Sequence, residues 1–187
     1  PGAAVSKEQR REFLARKVLA ARGMIEAVTW SFIAAEEAQL FGGASLALHL
    51  SNPISADLDV MRPSILPSLL NAAVRNANRG FHDLALYEVG AAWRDDLPEG
   101  QDLIAAGLRT GCTGPRHWAD VPRDVDAFDV KADAEAVLAH CGARVKDLQT
   151  LADAPDWYHP GRSGKFQFGA NMLARFGEIH PRILRAF

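Results

Sequence analysis

The sequence predicts an α+β fold, a mostly antiparallel sheet flanked by helices. Two long segments, at residues 6–22 and 63–78, repeat apolar residues at helical spacing. Several short segments are instead rich in β-branched and aromatic residues or alternate with period 2, and two of them near the end of the chain read as a hairpin. Strict strand–helix–strand alternations are few, which favours α+β over a parallel α/β sheet.

Taken in order, the first element is a helix. Ser6 is positioned as its N-cap, with Glu8 and Gln9 in the first turn and Gly23 as its stop. Phe13, Leu14, Val18 and Ala21 form the expected apolar stripe, and Lys7, Arg10, Arg11, Arg16, Lys17 and Arg22 the expected solvent face. A strand is expected at residues 28–33, a short helix at 34–41, and a half-buried strand at 46–50, where Leu46, Leu48 and Leu50 alternate with Ala47 and His49. The next helix runs from near Pro63 to Asn78, with Pro63 and Pro67 tolerated because they fall near its first turn. Strands follow at 84–89 and 103–109, then a long loop over 111–123. A short strand at 128–130 leads into a helix at 131–140. Phe166 and Phe168, a turn at Ala170-Asn171, and Leu173 to Phe176 make the hairpin, and His180-Pro181 begins a last helix.

At 187 residues, with 48% hydrophobic and 24% charged, the chain fits one globular domain with a sizeable core. No apolar stretch approaches the roughly 20 residues that span a bilayer, so no membrane partner is expected. Cys112 and Cys141 are the only cysteines, which excludes a disulfide framework and a zinc motif and suits a reducing cytoplasm. A formal net charge of −2 gives no global basic field, so any RNA contact must be local. The start at Pro1 reads as a segment cut from a longer protein.

Chemical motifs are sparse. None of the six histidines stands four residues from another, as paired ligands on a helix would. Gly111 to Arg116 lacks the lysine of a phosphate-binding loop. Neither Cys112 with His117 nor Ser163 with His159 is accompanied by an oxyanion-forming turn. Glu88 with Arg94, and His159 with Arg162, read as structural pairs or backbone anchors rather than acid–base groups.

Five segments in order carry a family resemblance: Gly23-Met24-Ile25-Glu26-Ala27-Val28-Thr29-Trp30-Ser31-Phe32; Asn52-Pro53-Ile54-Ser55 followed by Met61 to Leu70; Asn76, Arg79 and Leu86-Tyr87-Glu88-Val89-Gly90; Tyr158 to Ser163; and Phe176 to Pro181. Together they resemble the β subunit of bacterial phenylalanyl-tRNA synthetase, in its catalytic-like module. The resemblance implies a class II aminoacyl-tRNA synthetase-like fold with a degenerate active site, as one domain over residues 1–187, truncated at the C-terminus. Of the class signatures, Phe-Arg-x-Glu has only Leu86-Tyr87-Glu88 as a candidate, and Gly-x-Gly-x-x-Arg has no match.

The implied role is a non-catalytic module packing on a catalytic α subunit, in a cytoplasmic α2β2 enzyme that charges tRNA(Phe) with phenylalanine. ATP and Mg2+ would serve the whole enzyme, with no cofactor or metal in this fragment and no activity of the fragment alone. The competing role is a free-standing, synthetase-like binding or regulatory module. The resemblance makes Arg10, Phe13, Lys17, Trp30, Asn52, Arg62, Asn76 and Arg79 the interface candidates, while Arg11, Arg16 and Arg22 are candidates for tRNA phosphates.

Overall fold

A computed structural model describes residues 4–43, 45–114, 118–119 and 121–187. The first helix, α1 (Lys7–Ala21), begins at a capping box in which the Ser6 hydroxyl accepts the Gln9 N–H and the Gln9 side chain accepts the Ser6 N–H. It ends before Gly23, whose φ of 79° takes the chain through the left-handed region that glycine enters at no steric cost. The buried face of α1 is Ala15, Val18 and Leu19. Phe13, expected inward, faces solvent, and Arg16 and Arg22, expected outward, turn toward carboxylates on other elements.

The chain then forms β1 (Ile25–Glu26), a short extended connection, β2 (Phe32–Ile33) and α2 (Ala35–Leu40). The strand expected at 28–33 is thus reduced to its last two residues: before them, the Thr29 hydroxyl and the Trp30 carbonyl accept from the Arg62 guanidinium, and the Ser31 carbonyl accepts the Arg62 N–H just past β3. The strand expected at 46–50 is a 3-10 turn over Leu46–Leu48, with the Ser45 hydroxyl accepting the Ala47 N–H. Only Leu48 of its three leucines is fully buried, so the period-2 pattern had no sheet face to fill.

After β3 (Val60–Met61), α3 (Leu66–Ala77) carries Pro67 in its first turn, as expected, and starts a few residues later than Pro63. Two long strands, β4 (Leu84–Trp93) and β5 (Gln101–Thr110), pair antiparallel over their whole length. Helix α4 (Ala127–His140) absorbs the strand expected at 128–130, because Asp126 and Asp129 form a capping box that starts the helix there. Of the long loop at 111–123, residues 115–117 and 120 lie outside the described residues, and with them part of the Gly111–Arg116 segment and the Cys112–His117 pairing. The chain closes with β6 (Gln149–Leu151), β7 (Tyr158–Phe168), β8 (Asn171–Ile179) and α5 (Pro181–Leu184). Strand β6 had no sequence signal, and β7 runs through Pro160-Gly161, with a register irregularity between Tyr158 and Ser163.

The strands form three sheets rather than one, in the orders β1-β4-β5, β2-β3 and β6-β7-β8. Four of the five strand pairings are antiparallel, and β1 with β4 is parallel. Helix α3 packs Ile65, Leu69, Leu70 and Ala73 against Leu86 and Leu108 of the β4–β5 face, with Phe41 and Ile183 completing that core. On the opposite face, Ala15 and Leu19 of α1 meet Tyr87 and Val89, with Val137 of α4 alongside. A third cluster, Ile33, Ala38, Leu48 and Val60, seats the β2–β3 ribbon. Among the described residues no helix is long and apolar enough to cross a membrane.

Candidate functional site

Arg62 follows β3 and is the largest fully buried side chain, 1% exposed. A buried guanidinium requires partners for its donors and an opposing charge. Its Nη2 donates to Glu88 Oε1 at 2.7 Å, its Nη1 to Thr29 Oγ1 at 2.8 Å and the Trp30 carbonyl at 3.3 Å, and its Nε to the Ala91 carbonyl at 2.9 Å. The Thr29 hydroxyl donates in turn to Glu88 Oε2 at 2.6 Å, so both carboxylate oxygens are engaged. Through its backbone, Arg62 also donates to Ser31 and accepts from Trp93, each at 3.0 Å. One residue therefore joins the connection between β1 and β2 to the middle of β4.

Gly90 makes room for this arrangement. A Cβ there would lie 2.7 Å from Arg62 Nη2 and 3.1 Å from Glu88 Oε1. The guanidinium thus lies across β4 on the face that carries Glu88. Glu88 pairs with Arg62 and not with Arg94, which instead pairs with Asp102 at 2.9 Å on β5.

Above the Arg62 node the connection alternates. Thr29 points in, while Val28 and Trp30 point out at 89% and 69% exposure. Helix α1, just before it, shows Arg10, Phe13 and Lys17 on its outer face, opposite Ala15 and Leu19, with Phe13 64% exposed.

The remaining sequence candidates divide. Asn52 lies in the exposed segment 51–57. Asn76 closes α3 from within: its Nδ2 donates to the Ala72 carbonyl at 2.8 Å, and its own carbonyl accepts the Arg79 and Phe81 N–H groups. Arg79 is exposed just past the end of α3. Arg62, with its side chain 2% exposed, is an internal anchor rather than a surface residue. Arg16 pairs with Glu12 and Glu26 and donates to the Val89 carbonyl, and Arg22 pairs with Asp133. Two of the three residues expected to meet tRNA thus form ion pairs within the chain while keeping about a third of their side chains exposed, and Arg11 alone of them carries no ion pair among the described residues.

Sequence reasoning missed Thr29 and Asp133. Asp133, buried on α4, accepts from Arg22 at 2.5 Å and from Arg109 at 2.6 and 3.0 Å, tying the end of α1 to β5. Hydrogen bonding to Asp133 holds the Arg109 guanidinium above its ordinary range. The signal for Asp133 was an acid flanked by Ala132 and Ala134 on a helix. The Phe-Arg-x-Glu signature also has a nearer match than Leu86-Tyr87-Glu88: Trp93-Arg94-Asp95-Asp96, aromatic, arginine, any residue, acid, at the end of β4.

Elsewhere, the Ser163 hydroxyl donates to the His159 backbone carbonyl, and His159 Nδ1 accepts the Gly161 N–H. These contacts anchor backbone, and neither forms a Ser–His couple. Among the described residues no group of three or more His, Cys, Asp or Glu side chains is arranged to hold a metal ion.

This layout defines a class II aminoacyl-tRNA synthetase-like fold. The pyrrolysyl-tRNA synthetase of Desulfitobacterium hafniense superposes with a TM-score of 0.65 at 18% identity, covering 95% of this chain and 60% of that one. Over residues 1–187 the sequence matches the family described as "Phenylalanyl tRNA synthetase beta chain CLM domain", and the chain belongs to that family. The phenylalanine–tRNA ligase β subunit of Rhodospirillum rubrum is 53% identical, and that of Paramagnetospirillum magneticum 51%, each over 98% of this chain. The chain spans 23% of the length of those relatives.

Proposed function

We propose that the chain is the non-catalytic core module of a phenylalanine–tRNA ligase β subunit, and that it docks on the catalytic α subunit. The docking surface is the outer face of α1 with the exposed residues that follow β1. The observation that carries this reading is the display of Phe13, Val28 and Trp30 on the surface, flanked by Arg10 and Lys17. Large apolar side chains held outward beside cations are what an interface with an apolar centre and a polar rim requires. Asn52 and Arg79 extend the surface as rim contacts.

The whole enzyme is an α2β2 assembly in the cytoplasm that charges tRNA(Phe) with phenylalanine using ATP and Mg2+, both held by α. The residues of this chain do not fit those groups. A magnesium–nucleotide site needs carboxylates to hold the metal and arginines to clamp the phosphates. Here the Glu88 face of β4 is filled by the chain's own Arg62, and Arg94 is paired with Asp102. No chemical step is assigned to this chain; it positions its partner. Of the three arginines proposed to meet tRNA phosphates, Arg11 is the one not held in an ion pair among the described residues.

The test is size-exclusion chromatography of the chain with and without its matching α subunit. Co-elution is expected, and charge reversal at Arg10 and Lys17 with Phe13→Ala is expected to abolish it. Assembly that survives those changes along α1 sinks the reading. The chain alone is expected to show no phenylalanine-dependent ATP–pyrophosphate exchange.

A further inference from the structure

Resting on that docking surface, we infer that Arg62 is a positioning residue for it. Without touching the partner, its guanidinium sets the conformation in which Val28 and Trp30 are presented. Residues 28–31 belong to no strand, and among the described residues the hydrogen bonds that tie them to the fold run to Arg62 and Glu88. On either side the chain is held by ordinary pairing: the Ala27 N–H donates to the Tyr87 carbonyl at 2.7 Å, and Phe32 pairs with Met61. The stretch that carries the two most exposed side chains of this region thus has a single buried anchor.

The anchor is specific to arginine. It engages Glu88, Thr29, Trp30 and Ala91 at once from one planar group, which the single ammonium of a lysine does not match. It also fixes alternation. With Thr29 drawn inward by both Arg62 and Glu88, Val28 and Trp30 must point outward, because successive side chains of an extended chain face opposite ways. Freed of the anchor, the segment loses the order that makes Trp30 an effective contact, and partner binding must then supply the entropy of ordering it.

The experiment uses the full-length β chain with its α subunit and reads two quantities. One is the α–β dissociation constant; the other is amide exchange at residues 28–31, with α3 as internal reference. The variant Arg62→Met/Glu88→Gln removes both buried charges together, which avoids leaving one unpaired. Gly90→Ala keeps both charges but puts a methyl where the guanidinium lies. Trp30→Ala tests the docking surface itself. Faster exchange at 28–31 is expected in both anchor variants, with a dissociation constant raised by about tenfold or more, as for loss of a central interface contact. Trp30→Ala should weaken binding in the wild-type background and add little in either anchor variant. If Trp30→Ala weakens binding while an anchor variant that retains α3 protection binds within about twofold of wild type, Arg62 is no positioning residue and the docking surface still stands. If Trp30→Ala has no effect, the docking surface falls and the inference with it.

Discussion

Two arginine–glutamate pairs sit in different parts of this molecule with the same chemistry and different consequences. Arg62 and Glu88 join the β2–β3 ribbon to β4 with side chains only 2% and 5% exposed. Arg162 and Glu178 bridge β7 and β8, with side chains 51% and 39% exposed. Outside, water competes for both charges and salt screens them, and the side chains give up freedom to meet. Inside, each charge has already lost its water, so removing either partner leaves the other buried and uncompensated. Burial, and not the identity of the pair, decides which one organises the fold.

The largest expected effect breaks the buried pair. Arg62→Ala should destabilise the protein by about 3–5 kcal/mol in urea unfolding, and Arg62→Met/Glu88→Gln by clearly less. A single-variant loss as small as that of the exposed pair would erase the distinction.

Asp133 lies between the two extremes, buried itself but held by the half-exposed Arg22 and the more buried Arg109. Asp133→Ala should cost about 2 kcal/mol, read by thermal and urea unfolding, because its two partners keep some access to water.

Tyr158 sharpens the contrast within the outer sheet, where a buried group sits near exposed ion pairs. Burial pushes its phenol from 10.0 up to about 12. The folded state keeps this proton while the unfolded chain loses it, so the stability it contributes is complete below about pH 10 and is lost as the pH rises through the folded value near 12. In alkaline unfolding, Tyr158→Phe should flatten that part of the profile.

A smaller effect is expected from the exposed pair itself: Arg162→Ala should change stability by at most about 1 kcal/mol, and added salt should shrink the difference. The smallest belongs to Asp129. The Arg123 guanidinium holds its carboxyl below the ordinary aspartate range of 3.8. Its contribution is present above about pH 4 and fades as the pH falls through the lowered folded value. The difference in melting temperature between wild type and Asp129→Asn should therefore narrow in acid.

Where local rules governed, the sequence was legible. Ser6 with Gln9 started α1, Pro67 sat in the first turn of α3, and the apolar stripe from Ile65 to Ala73 found its core. The long strands β4 and β5 lay where their patterns placed them. Legibility failed where a distant group overrode a local preference. In the β-rich run at 28–33, Thr29, Trp30 and Ser31 bond to Arg62, from more than two dozen positions downstream. The leucines at 46–50 alternated, yet only His49 meets a strand, in an isolated bridge to Val60, and residues 128–130 became helical because the acid pair at 126 and 129 capped them. On α1, Arg10 and Lys17 were readable as outer-face residues, but the outward turn of Phe13 was not, and neither was the turn of Arg16 and Arg22 toward carboxylates, since it depends on Glu26 and Asp133 arriving beside them.

The sequence by itself therefore determined the class of fold, the long elements and the family, because capping, periodicity and ordered motifs act over a few residues at a time. Only the tertiary structure decided which charges are buried, which arginine Glu88 takes, and that Trp30 faces outward. Those outcomes depend on how much water is removed from groups far apart in the chain, and desolvation is set by packing that no local window of sequence contains.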